Sequence, residues 1–285
     1  MSDPAIPPYE KQIILSHVLK KPREYVLMHP EINLTKAQQK KYRFLVAHRL
    51  RNEPLAYILG EKGFYGLDFR VSRHTLIPRP ETEHLVDATI GNLKLVIGKR
   101  KKISIIDVGT GSGNIIISIA KEIESRIKYN ASSIMYFGTD ISEKALRIAK
   151  FNAKKHKLNN LPTGRIKFIR SNLLDVFIQN TRYQIQNTNL NILANLPYLS
   201  KKIYKNTALD IKKYEPRLAL LSGTDGLNHY RKLLKQIKLL KNKYPELCIT
   251  CCIEFSPEQK LKISRLIKFN FPKSNSRFIK DLTQR

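Results

Sequence analysis

The sequence predicts an α/β protein, a doubly wound and mostly parallel sheet preceded by a small helical segment. Three observations carry this. From Lys101 onward, strand-like stretches at 103–107, 134–139, 165–170, 189–194, 247–254 and 276–281 alternate with helix-like stretches at 114–127, 142–156, 225–241 and 257–268, the order that builds a parallel sheet. Ser104-Ile105-Ile106-Asp107-Val108 runs into Gly109-Thr110-Gly111-Ser112-Gly113, and then Ile116, Ile119, Ala120, Ile123 and Ile127 recur at helical spacing, which reads as strand, tight turn, helix. Residues 1–60, by contrast, carry only helical patterns.

The chain's 285 residues suit one large or two modest domains, and 42% hydrophobic content is that of a protein with a buried core. No apolar run is long enough to span a bilayer, and the start lacks a signal-peptide layout, so a cytoplasmic protein with no membrane partner is expected. Lys and Arg number 52 against 23 acids, a formal charge of +29. That excess favours polyanionic partners such as the ribosome or RNA, although a lysine-rich composition alone produces it. The three cysteines, Cys248, Cys251 and Cys252, lack the further ligands a zinc site needs, so no metal is expected and all three read as buried strand residues.

In chain order, Ile13, Ile14, His17 and Val18 share one helix face, and Pro22 opens a helix over Arg23–Met28. Thr35-Lys36-Ala37-Gln38 fits a capping box, leading a helix with Tyr42, Leu45, Val46 and Leu50 turned inward. Gly63–Val71 has the aromatic and branched residues and the turn glycines of a short hairpin. Pro80 with Glu81 and Glu83 suits the first turn of a helix through His84–Leu95.

The glycines at 109, 111 and 113 do not follow the dinucleotide spacing G-x-G-x-x-G. Asp107 just before them would repel a pyrophosphate but suits a ligand bearing an ammonium or sulfonium charge. Asp140 ends the second strand ahead of Ser142, an expected N-cap; an acid here either accepts both hydroxyls of a ribose or only helps cap the helix, and its place after a glycine-rich βα unit favours the ribose. Asp-Val-Gly-Thr-Gly-Ser-Gly resembles motif I of class I S-adenosylmethionine-dependent methyltransferases. The cofactor so implied is S-adenosyl-L-methionine, held by Asp107, Gly109, Thr110, Gly111, Ser112, Gly113 and Asp140.

Asn195-Leu196-Pro197-Tyr198 follows the fourth strand, at the carboxyl edge where open α/β sheets bind ligands. An amide or aromatic amine nitrogen is a poor nucleophile because its lone pair is delocalised. The Asn195 side-chain oxygen and the Leu196 carbonyl are candidate acceptors that align an NH₂ group with a methyl donor, with Tyr198 packing on the planar group. No histidine has an evident acidic partner in sequence, in keeping with a nitrogen that loses its proton late.

Glu53–Gly60, Gly63–Leu67, Leu76–Glu83, Tyr214–Leu220, Asp225-Gly226-Leu227 and Lys280-Asp281-Leu282 together resemble the HemK/PrmC family across nearly the whole chain. The resemblance implies a seven-stranded methyltransferase sheet. It also implies methyl transfer from S-adenosylmethionine to the N5 amide of the Gly-Gly-Gln glutamine of class I peptide-chain release factors. The family's catalytic N-P-P-Y falls on Asn195, Leu196, Pro197 and Tyr198, with Asn195 also facing the cofactor. Leu196 replaces the first proline, but the acceptor there is a main-chain carbonyl. Asn172 and Leu173 stand where the family often has an acid and an aromatic beside adenine, and Leu173 packs without stacking.

Asn-Leu-Pro-Tyr is also the form in rRNA adenine dimethyltransferases, which lack the Pro-Arg-Pro-Glu-Thr-Glu stretch and the helical N-terminal domain. The related glutamine methyltransferase of a large-subunit ribosomal protein lacks the Glu81-Thr82-Glu83 acids. A ribosome-associated protein that holds the cofactor without catalysis is the non-enzymatic alternative. The expected division is a helical substrate-recognition domain at 1–60, a β-hairpin linker at 61–72 and a methyltransferase domain at 73–285.

Overall fold

The structure, a computed structural model, describes residues 6–94, 102–126, 134–158, 166–183, 185 and 188–280. Four helices come first: α1 (Pro8–Leu19), α2 (Arg23–Met28), α3 (Lys36–Leu50) and α4 (Leu55–Leu59). They pack around Ile14, Val18 and Leu45, with Tyr42, Val46, Leu55 and Ile58 alongside. The capping box forms reciprocally, Gln38 N donating to Thr35 Oγ1 at 3.3 Å and Thr35 N to Gln38 Oε1 at 2.9 Å. Leu50 departs from expectation: it is 43% exposed because it lies in the last turn of α3, beyond the packed cluster. A buried Glu10 receives a two-pronged hydrogen bond from Arg49, at 2.5 and 2.9 Å, which ties α1 to α3.

Strands β1 (Glu61–Phe64) and β2 (Leu67–Arg70) form the expected antiparallel hairpin. Its two turn residues, Tyr65 and Gly66, both have positive φ, the two-residue turn that matches the twist of paired strands. A 3₁₀ turn at Pro80–Thr82 then leads into α5 (Glu83–Lys94).

The remainder alternates as predicted: β3 (Lys102–Val108), α6 (Asn114–Arg126), β4 (Ile134–Asp140), α7 (Glu143–Lys155), β5 (Lys167–Arg170), α8 (Asp175–Gln179), β6 (Thr188–Ala194), α9 (Lys201–Asn206), α10 (Leu209–Tyr214), α11 (Asn228–Lys243), β7 (Cys248–Ile253) and α12 (Lys260–Asn270). All pairings in this sheet are parallel, in the order β5-β4-β3-β6-β7. Alternate residues of β3 feed opposite layers, Ile103 and Ile105 packing with α5 and α6, Ile106 and Val108 with α8 and α11. Burial on both faces explains why β3 carries apolar residues on both, Ile103 and Ile105 on one and Ile106 and Val108 on the other, with Ser104 and Asp107 buried among them. Each fully buried Ile or Leu contributes about 1.5–3 kcal/mol, so this central strand anchors everything attached to its end. Strand order reverses at β3, the switch point where such sheets bind ligands.

Two expectations are corrected. The strand foreseen at 276–281 does not form among the described residues: 271–280 is a turn followed by irregular chain, and residue 281 lies outside them. Pro272 and the polar run Lys273–Arg277 offer little to a sheet, and Phe278 packs edge-on against Phe255 at 6.0 Å instead. The described main sheet thus has five strands rather than seven. That leaves β7 at an edge, with Cys248 and Cys251 exposed and Cys252 half-buried, where all three were expected inside. Helices α8, α9 and α10, at five or six residues each, were not foreseen; they are too short for a helical period to register. Among the described residues no helix is long and apolar enough to cross a membrane.

Candidate active site

The parallel sheet lays the candidate residues along one edge. In spatial order, the carboxyl ends of β5, β4, β3, β6 and β7 lead into Asn172–Leu173, Asp140, Gly109–Gly113, Asn195–Tyr198 and Glu254. Neighbouring strands lie about 4.8 Å apart, so residues scattered over some 150 positions of sequence are lined up along one edge of the sheet.

The glycine turn needs its glycines. Gly109, Gly111 and Gly113 have φ of 74°, 54° and 81°, a region that other residues rarely adopt. A Cβ on Gly113 would lie 2.9 Å from Ile117 and 3.1 Å from Ala149, so α6 and α7 close tightly there. A Cβ on Gly111 would meet nothing nearer than 3.9 Å, so that side of the turn is open to a ligand. Gly109 and Thr110 both donate to the Thr139 carbonyl at 2.8 Å, fixing the turn to β4.

Asp107 is fully buried. One carboxylate oxygen accepts from Thr110 Oγ1 at 2.6 Å and the other has no hydrogen-bond partner. Burial pushes its pKa up to about 7. Ser112 is buried beneath the turn, its hydroxyl donating to Asn114 Oδ1 at 3.1 Å. Asp140 is half-buried; its carboxylate accepts from Gly111 N at 3.0 Å and from Ser142 N at 2.8 Å. Desolvation raises its pKa while those N–H groups oppose the rise. Ser142 caps α7 as expected, accepting from Ala145 N at 3.2 Å.

Asn172 is exposed and Leu173 buried, and Leu173 takes a left-handed φ of 58°. A non-glycine residue there costs about 1–2 kcal/mol. Gln236 of α11 offsets that cost: it accepts from Leu174 N at 2.9 Å and donates to the Asn172 carbonyl at 3.2 Å and to Asp175 at 2.5 Å.

Asn195 Nδ2 donates to Thr82 Oγ1 at 2.8 Å, which leaves its Oδ1 as a free acceptor. Leu196 is buried against the glycine turn, its Cδ2 3.1 Å from where a Gly109 Cβ would be. The Leu196 carbonyl lies 3.3 Å from the Tyr230 hydroxyl, which bonds the Glu254 carbonyl more closely. Pro197 and Tyr198 are half-buried. Burial pushes the Tyr198 phenol up to about 12, so it stays protonated. The Tyr198 carbonyl accepts from Gln259 Nε2 at 2.9 Å, and a Cβ on Gly226 would collide with that same carbonyl at 2.1 Å. Asp225-Gly226-Leu227 is thereby explained: the glycine lets a second loop close onto the Asn195–Tyr198 turn.

Several contributors were not foreseen. Arg79 donates to the buried Glu215 at 2.5 Å and Ile77 N to the same carboxylate at 3.3 Å, which docks the segment carrying Thr82. Asn152, fully buried on α7, donates to the carbonyls of Arg70 at 3.0 Å and Ser112 at 2.8 Å and accepts from Arg70 N at 2.8 Å. It clips the hairpin to the glycine turn. A polar residue on the apolar face of α7, beside Ala149 and Ala153, was the available signal. Histidine is also corrected: His48 Nδ1 lies 2.6 Å from Glu53, which also accepts from Arg73 at 2.7 Å. That group joins α3 to the chain after the hairpin, with Tyr214 donating to the Arg51 carbonyl at 2.8 Å nearby in sequence to Glu215. No cluster of metal-ligating residues occurs among the described residues.

Comparison with known proteins bears on the family of the chain. Residues 3–60 match the PrmC N-terminal domain and residues 99–253 a methyltransferase domain. A release factor glutamine methyltransferase of Coxiella burnetii is 36% identical over 232 residues, covering 81% of this chain and 74% of that protein. One from Clostridium botulinum is 33% identical over 259 residues, covering 90% and 82%. A bifunctional methyltransferase of Rickettsia typhi is 36% identical over 247 residues, covering 82% of this chain and 44% of that protein, so the chain spans less than half of it. The chain belongs to the release factor glutamine methyltransferase family.

Proposed function

We propose that this protein transfers a methyl group from S-adenosyl-L-methionine to the N5 side-chain amide of the Gly-Gly-Gln glutamine in class I peptide-chain release factors. The observation that carries the proposal is the free Oδ1 of Asn195, whose Nδ2 is committed to Thr82 at 2.8 Å. An acceptor fixed in this way, beside the Leu196 carbonyl, suits the two N–H groups of a primary amide. The residues fit the cofactor: an open glycine turn at Gly111, a half-buried Asp140 for ribose hydroxyls, and Asn172 and Leu173 for the base.

When bound, the cofactor supplies an electrophilic methyl group. The rest of the work falls to the chain. Asn195 and the Leu196 carbonyl align the glutamine nitrogen, Tyr198 covers its planar amide, and Pro197 keeps Leu196 extended. Alignment and exclusion of water account for much of such a rate. Asp107, sealed from solvent, acts through Thr110 on the shape of the turn. Thr110, Gly109, Ser112 and Gly113 form that turn. No neighbouring histidine is needed, because the nitrogen loses its proton after the methyl begins to transfer.

Residues 1–60 serve as the substrate-recognition domain, 61–72 as the hairpin linker and 73–285 as the catalytic domain, working in the cytoplasm. Radiolabelled cofactor offered to purified release factor tests the function; label that appears only on rRNA would overturn it. The charge of +29 permits contact with the ribosome, and co-sedimentation that vanishes with modest salt would support that contact.

A further inference from the structure

We infer that Glu254 is a positioning residue for Asn195, a role that rests on the reading of Asn195 as the acceptor for the substrate amide. Glu254 follows β7 directly, and its N–H donates to the Ala194 carbonyl at 3.0 Å, placing it beside the residue that precedes Asn195. The Tyr230 hydroxyl holds its carbonyl from α11. Its carboxylate is turned inward, with one oxygen buried and unpartnered, and it faces both Thr82 and the Asn195 amide.

The chemistry of the three groups gives the reason. A side-chain amide turned by half a revolution exchanges its donor and its acceptor. Thr82 alone does not choose between the two orientations, because a hydroxyl both donates and accepts. A carboxylate only accepts. With Glu254 ionised, the Thr82 hydroxyl proton points toward it, Thr82 Oγ1 is left to accept from Asn195 Nδ2, and Asn195 Oδ1 must face outward to the substrate. Protonated Glu254 imposes no such direction.

The charged and titratable groups facing Glu254 are Glu81 and Arg79 ahead of α5, Tyr198 after β6 and Tyr230 on α11. Burial and Glu81 raise its pKa, Thr82, Asn195 and Arg79 oppose the rise, and it stands at about 7.

The test is Glu254→Gln, which keeps the shape but restores both donor and acceptor. Wild-type kcat on release factor should show an acid limb near pH 7, and the variant should lose that limb together with at least about tenfold of kcat. Its affinity for S-adenosylmethionine by calorimetry should stay within about twofold of wild type. Unchanged kcat, or cofactor affinity that falls in step with kcat, would overturn the role. A second readout needs no substrate: the Asn195 side-chain amide signals in ¹⁵N NMR should titrate near pH 7 in wild type and stay flat in Glu254→Gln. Signals that stay flat in wild type would refute the inference. A wild-type protein that labels no release factor would instead sink the proposed function, and the titration would still decide Glu254.

Discussion

Asn195 and Thr82, 113 positions apart in the chain, meet in a 2.8 Å hydrogen bond from amide to hydroxyl. It joins the loop after β6 to the turn before α5. Thr82→Val keeps the volume and removes the hydroxyl. A hydrogen bond of this kind is worth about 0.5–1.5 kcal/mol. The variant should therefore lose roughly 2- to 13-fold in kcat, with cofactor affinity by calorimetry unchanged. A matched loss of affinity would mean that Thr82 serves the fold rather than the amide.

Asp140→Ala should weaken cofactor binding more than it harms folding. Two ribose hydroxyls on a carboxylate are charge-assisted hydrogen bonds, each worth about 1.5–3 kcal/mol. Loss of Gly111 N as a donor partner also loosens the turn. Calorimetry should read at least a tenfold weaker Kd, with the melting midpoint little changed; an unchanged Kd would remove Asp140 from the site.

Asn152→Leu should be costly for a different reason. It strands Arg70 N, the Arg70 carbonyl and the Ser112 carbonyl without their present partner. Of these only the bond to the Ser112 carbonyl is fully buried, and a buried unsatisfied group costs about 1–3 kcal/mol, so denaturant unfolding should register a loss of about that size and cofactor binding should fall as the turn loosens. Wild-type stability in this variant would contradict the clip.

The chemistry-bearing loops were legible because local rules write them. Gly109–Gly113 sits between a strand and a helical period, and Asp140 ends, and Asn195 directly follows, a strand that pairs on β3. Asn152, Gln236, Thr82 and Glu254 were not legible as site residues, because each acts on a group far away in sequence and no spacing rule reports that. Gln236 lies among Leu233, Ile237 and Leu240, and its burial on that face is the only local hint. The error at 276–281 has a similar origin: Phe278 is a plausible strand residue by type, but here its ring is spent on Phe255.

Asp107 makes stability depend on pH. Its folded pKa of about 7 lies above its ordinary 3.8, so the folded state keeps a proton that the unfolded chain releases. Stability of the cofactor-free protein therefore declines as pH rises through that window, by at most about 1.4 kcal/mol per pH unit from this group. Asp107→Asn should flatten the decline in urea unfolding between pH 4 and 7. An identical slope in both proteins would exclude Asp107 as its source.

The central claim is that Asn195 presents a glutamine side-chain amide to a methyl donor. Methyl transfer from labelled S-adenosylmethionine to a purified release factor, followed by peptide mapping, measures it most directly. Label should lie on the Gly-Gly-Gln glutamine, and it should vanish with Asn195→Ala although that variant still binds the cofactor. Label at any other residue, or undiminished label with Asn195→Ala, would contradict the account.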